Sequence, residues 1–177
     1  YWLFLIGVFS GCAVLVKWLM GLLIYVIWAI TLIANQSLKQ LRIRSFLPLI
    51  YSGLISFITF IPWQIYIFEK YPAEAKYEAS LNSRHFFEAI EGHAGSTWFH
   101  FNEGLNKLYG SGDLMPFILL LSIIWLVIAI PNKTYKIAIS TTIIFVYSFF
   151  SIAATKMLSF PIIVAPFIYI GLGYLIY

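Results

Sequence analysis

Glu91 and His93 are the side chains in this 177-residue sequence whose types and spacing most directly suggest chemistry. They stand two apart in Glu91-Gly92-His93-Ala94-Gly95. A carboxylate beside an imidazole can serve as acid and base, as metal ligands, or as hydrogen-bonding groups for a sugar or a phosphate. The flanking glycines let the backbone turn sharply or approach a ligand. The same pair in a solvated turn is more often ordinary surface, so the pattern alone is weak. Lys17 and Lys156 are the other candidates, being the only ionisable residues flanked on both sides by apolar runs. An ammonium at the edge of such a run either snorkels towards headgroups or meets an anionic ligand such as a lipid phosphate. His85 and His100 have less around them. There is no Ser-His-Asp order, no phosphate-cradling P-loop and no H-E-x-x-H. A single cysteine, Cys12, excludes an intrachain disulfide and a Cys-rich metal site.

The elements that must position these residues are apolar. The chain is 62% hydrophobic, 19% aromatic and only 10% charged, whereas a soluble domain carries about 25% charged residues. This composition predicts an integral membrane protein, all-α, a polytopic transmembrane helix bundle. All seven acidic residues and all three histidines fall within 69–113. Most of the seven basic residues outside that stretch sit beside apolar spans, so the net charge of +4 is a positive-inside signal rather than a nucleic-acid footprint. The chain begins at Tyr1 inside one apolar run and ends at Tyr177 inside another. It therefore reads as an internal piece of a longer membrane protein.

The pattern predicts spans at about 1–16, 18–34, 46–68, 114–131, 137–155 and 157–177, all parts of one transmembrane domain. As one helix, 1–34 would be roughly 50 Å long at ~1.5 Å per residue, against a hydrocarbon core of about 30 Å. We therefore expect two spans joined at Lys17, with one tilted helix as the alternative. Gly7 and Gly11 form G-x-x-x-G, a close-packing motif. Pro48 suits the first turn of its helix, and Ile61-Pro62-Trp63 suits a kink with an interfacial aromatic. The basic loop at 35–45, with Lys39, Arg42 and Arg44, and the basic turn 132–136 are placed on the cytoplasmic side. The loop 69–113 is placed outside, on the periplasmic side of an inner (plasma) membrane if the source is bacterial. By this alternation Lys17 and Lys156 both lie at the outer face.

Within the external loop, Leu81 to Glu91 predicts a short helix. Trp98, Phe101, Leu105 and Leu108 predict a second one lying on the membrane surface, with Ser96 as its cap. Asn35-Gln36-Ser37 and Asn132-Lys133-Thr134 match glycosylation sequons, but this topology puts both inside.

Four stretches, taken in order, resemble one family. Gly11 to Leu23 (GCAVLVKWLMGLL), Ile61-Pro62-Trp63, Glu91 to Gly95 followed by Trp98-Phe99, and Ser151 to Pro166 (SIAATKMLSFPIIVAP) are similar to motifs of integral-membrane GT-C glycosyltransferases. The branch resembled is family 39-like, that of the dolichyl-phosphate-mannose–protein mannosyltransferases and the bacterial lipid A aminoarabinose transferases. The resemblance covers nearly the whole chain through order and spacing. It implies a GT-C bundle with a partly helical external loop. The implied reaction moves a sugar from a polyprenyl-phosphate donor to a lipid, glycan or protein acceptor at the outer face. It also implies that Lys17 lies near the donor phosphate and that Lys156 supports the same pocket. Glu91 and His93 would help shape the site, with a divalent metal at His93 as an option. The catalytic carboxylate would lie outside this chain. Trp18 stands where the family commonly has a glycine, and Ser96-Thr97 replaces the usual proline; both leave the pocket shape open. The competing classes are a transporter or permease fragment, with its site near mid-membrane, and a non-catalytic assembly subunit that uses the loop for docking.

Overall fold

The computed structural model describes residues 1–36, 42–110 and 112–177. The predicted loop residue Lys39 and the sequon residue Ser37 lie outside the described residues. Among those described there are helices and turns and no strand, so the fold class is all-α. Three helical stretches, Trp2–Asn35, Ile43–Lys70 and Lys133–Ile152, are long and apolar enough to cross a membrane. Only 11%, 17% and 28% of their most apolar windows are buried inside the protein. Their apolar side chains thus face outward, as lipid or further helices require. The chain divides into two units, Tyr1–Tyr77 and Glu78–Tyr177.

In the first unit, α1 (Trp2–Lys17) stops at Trp18, whose φ is 56°. A five-residue 3₁₀ turn (Trp18–Leu22) follows, then α2 (Leu23–Asn35). The turn folds back on α1: a Cβ on Gly21 would overlap the Val14 amide nitrogen and lie 2.8 Å from the Ser10 carbonyl oxygen. The Ser10 hydroxyl donates to the Gly21 carbonyl at 2.5 Å and satisfies backbone freed by the break. The run 2–35 is thus two helical pieces with Lys17 at the junction. Each piece is short, about 24 Å and 20 Å at 1.5 Å per residue.

Helix α3 (Leu47–Lys70) is entered through Pro48 and continues through Pro62. It runs parallel to α1, because Gly7 meets Ser52 and Ile55 while Gly11 meets Ser56 and Thr59. A Cβ on Gly7 would stand 2.6 Å from the Ser52 carbonyl oxygen, and one on Gly11 would stand 2.7 Å from that of Ser56. G-x-x-x-G therefore faces S-x-x-x-S, with Ser52 and Ser56 fully buried. Small residues on both helices let the backbones approach without a hydrophobic driving force, as lipid demands. The Tyr25 hydroxyl donates to the Ser52 carbonyl at 2.9 Å and ties α2 to the same place.

Helix α4 (Pro72–Phe87) begins nine residues earlier than the predicted 81–91 and stops before Glu91. Pro72 supplies a preset helical φ and Glu74 suits the first turn, which the reading from the apolar stripe alone overlooked. In the second unit, a π-helical turn (His100–Gly104) leads into α5 (Leu105–Tyr109). The Ser96 carbonyl, rather than its side chain, receives the Phe99 amide there. Helices α6 (Met115–Ala129) and α8 (Ala165–Ile176) pack where Gly171 meets the Ser122 backbone. Between them, α7 (Lys133–Ile152) is capped by the Asn132 side chain, which accepts from Thr134 and Tyr135 amides. That cap occupies the second sequon. Leu119, Leu126, Val146, Val164 and Ile168 form the buried core of this unit.

Replacing Gly11 with leucine should destabilise the protein by about 1–3 kcal/mol through overpacking. Gly53→Ala, whose Cβ meets nothing within 4 Å, should be neutral or stabilise by about 0.5–1 kcal/mol. Thermal unfolding in detergent measures both, and equal effects at the two glycines would contradict the packing.

Candidate functional site

Lys156 is the centre of a buried polar cluster. After α7 the chain bends through residues 153–155 and lies against the last turn of α4 and the loop that follows it. Main-chain amides of Ala154, Thr155 and Lys156 donate to the carbonyls of Phe86, His85 and His93 at 3.0, 3.0 and 2.8 Å. This strap lays the 85–93 segment over the end of α7. Gly95 rests on the Lys156 stem, where a Cβ would come within 2.9 Å of Cγ. Two regions singled out in the sequence, sixty residues apart, therefore meet.

Thr155 fixes the strap from inside. It is fully buried, and its hydroxyl donates to the Glu88 carbonyl at 2.9 Å. With its one proton so used, it accepts from the Ile90 amide at 3.2 Å and from His85 Nδ1 at 3.1 Å. That arrangement assigns the proton of His85 to Nδ1.

The Lys156 side chain is 5% exposed and does not snorkel. Its ammonium donates to the carbonyls of Phe150, Ser151 and Ala153 at 3.3, 2.6 and 2.5 Å. These are the unpaired acceptors at the end of α7, where the helix dipole favours a cation. Burial pushes the Lys156 ammonium below its ordinary value, while the three carbonyls favour the charged form. All three N–H donors are thus committed to the backbone.

Glu91, His93 and their loop are exposed. Glu91 has φ 57°, a left-handed conformation uncommon for a residue with a side chain, and Gly92 follows at 75°. This tight turn presents both side chains outward. Among the described residues no three His, Cys, Asp or Glu gather closely enough to hold a metal. Lys17 belongs to the first unit, ends α1 and is exposed.

Two open grooves accompany these residues. In the first unit, a groove of about 620 Å³ is lined by Thr59, Pro62, Trp63, Tyr66 and Tyr71. Lys70 borders it, donating to the Tyr66 hydroxyl at 2.8 Å and lying over the Tyr66 and Tyr71 rings. In the second unit, a groove of about 310 Å³ is lined by Thr97, Trp98, Phe101, Ser148, Ser151 and Ile152.

The sequence reading passed over two residues. Thr155 carries no signal in sequence, because its three partners come from a distant segment. His100 is fully buried, and neither ring nitrogen has a hydrogen-bond partner. Its one legible signal was its place inside Trp98-Phe99-His100-Phe101, where a histidine is flanked by aromatics. No family model matches this chain, and no curated protein or solved structure matches it either.

Thr155→Val should cost about 2 kcal/mol, since it leaves buried polar groups unpaired. It should also speed hydrogen exchange at the Ile90 amide. Unchanged exchange there would contradict the strap.

Proposed function

We propose that this chain is part of a membrane glycosyltransferase of GT-C type that moves a sugar from a polyprenyl-phosphate donor to a lipid, glycan or protein acceptor. One observation carries the reading: the Glu91–Gly95 loop is seated on Lys156, so two of the four resembling stretches converge through the bond from the Lys156 amide to the His93 carbonyl. The outward apolar faces of the spanning helices fit a lipid-linked substrate. The positive-inside bias favours an outward-facing loop at the plasma membrane.

In this reading the residues divide their work. Lys17 is exposed at a helix break, so its ammonium is available to a phosphate leaving group. A cation at the dry edge of a membrane stabilises developing phosphate charge strongly. Lys156 spends its donors on α7 and acts as a positioning residue for the loop above it. Glu91 and His93, turned outward, bind sugar or acceptor hydroxyls. The aromatic loop limits access of water to the sugar. The catalytic carboxylate comes from elsewhere in the full protein.

The test is sugar transfer by the full-length protein in membranes, from a panel of labelled polyprenyl-phosphate sugars. Lys17→Ala should lower transfer by about 100-fold, the scale of losing one electrostatic stabiliser. His93→Ala should lower it too. Lys156→Met should lower transfer together with stability, because it uncaps α7. Transfer from no donor by folded, inserted protein, or full transfer by the Lys17 variant, would refute the reading.

A further inference from the structure

His100 is placed as no passive core residue would be. It is fully buried, with both ring nitrogens unpartnered. Phe99 meets it edge-on at 5.2 Å and Phe150 at 6.4 Å. Lys156 lies close enough for its charge to act on the imidazole. The Phe150 carbonyl beside the ring already accepts from Lys156. His100 also opens a π-helical turn, a helix form that is rare and seen mostly as single turns at functional sites.

We propose that His100 is a proton-operated latch: its neutral imidazole holds the 99–109 segment on α7, and protonation beside the Lys156 ammonium releases that segment and the Glu91–Gly95 loop before it. The inference is independent of the glycosyltransferase reading.

The groups facing His100 bring no carboxylate to the added charge, and the Phe150 carbonyl favours it only in part. From α7 comes the uncharged Phe150, and Tyr147 packs on the neighbouring Phe101 at 5.3 Å. The connection after α7 brings Lys156. On its own segment Glu103 is exposed and paired with Lys107 at 2.8 Å. From the strap, His85 is held on Thr155, and Glu88 is exposed and paired with Arg84. No carboxylate among the described residues bonds to the ring. An imidazolium there would lose its hydration and meet a like charge, and both effects disfavour it. Burial first, then Lys156, lowers the His100 titration from its ordinary 6.5, with the Phe150 carbonyl opposing.

The sign follows from linkage. The released segment takes up its proton near 6.5, while the held segment resists it. The latch is therefore complete above about pH 6.5 and weakens as pH falls from there. The chain leading into the segment is exposed from Glu91 to Trp98, so release exposes little further apolar surface before the π turn.

The experiment uses the full chain in lipid nanodiscs, with Cys12→Ser and a nitroxide on Leu108→Cys, half-buried within the held segment. The label should be immobile at pH 7.5. The ratio of mobile to immobile label should rise by up to about tenfold per pH unit below 6.5, reversibly, the limit for one proton. His100→Phe keeps an aromatic between Phe99 and Phe150 and cannot titrate; His100→Gln keeps a polar amide should the first variant fail to insert. Either should abolish the acid response. Mobilisation that persists in the His100 variants, or a label that stays immobile down to pH 5 in the parent, would overturn the latch.

Discussion

The second unit depends on how the end of α7 is closed. A helix that stops near a membrane surface leaves its last carbonyls without partners, and leaving them unpaired in an apolar setting costs several kcal/mol each. Lys156 answers this by folding its side chain back, so that one ammonium serves three carbonyls. The same residue gives its main-chain amide to His93. Closing the helix and seating the loop are thus one event, and Thr155 reinforces it from the neighbouring position. A change that loosens the cap must also loosen the loop.

The first unit solves a different problem. Its helices carry little polar surface, so water cannot drive them together. Contact instead depends on the absence of side chains at Gly7 and Gly11, which brings α1 against the α3 backbone at Ser52 and Ser56. The break at Trp18 then exposes backbone, and Ser10 repairs it. Small and hydroxylated residues do in lipid what leucines do in a soluble core.

Much of this was legible in the sequence. The helical class followed from apolar length and composition, the close contact of α1 from G-x-x-x-G, and the break near Lys17 from a run too long for one span. The charge pattern also marked Lys156 and Glu91 to Gly95 as regions of interest. The strap between them was not legible, because main-chain bonds between segments sixty residues apart leave no periodic signature. Nor was the direction of the Lys156 side chain: an isolated lysine beside apolar runs looks the same whether it reaches for headgroups, a phosphate or the end of its own helix. His100 was passed over because burial is a property of the packed segment, and aromatic neighbours read equally well as an interfacial anchor. The start of α4 was missed for a third reason. Its first turns carry polar residues, so the apolar stripe marked only its later half.

The central claim is that the loop seated on Lys156 belongs to a site for a lipid-linked sugar. The most direct measurement is photo-crosslinking of the full-length protein in membranes with a diazirine-bearing polyprenyl-phosphate sugar, followed by peptide mapping. The account predicts adducts within residues 91–95, lost on competition with unlabelled polyprenyl-phosphate sugar. Adducts confined to other helices, or uncompeted labelling spread along every apolar face, would contradict it.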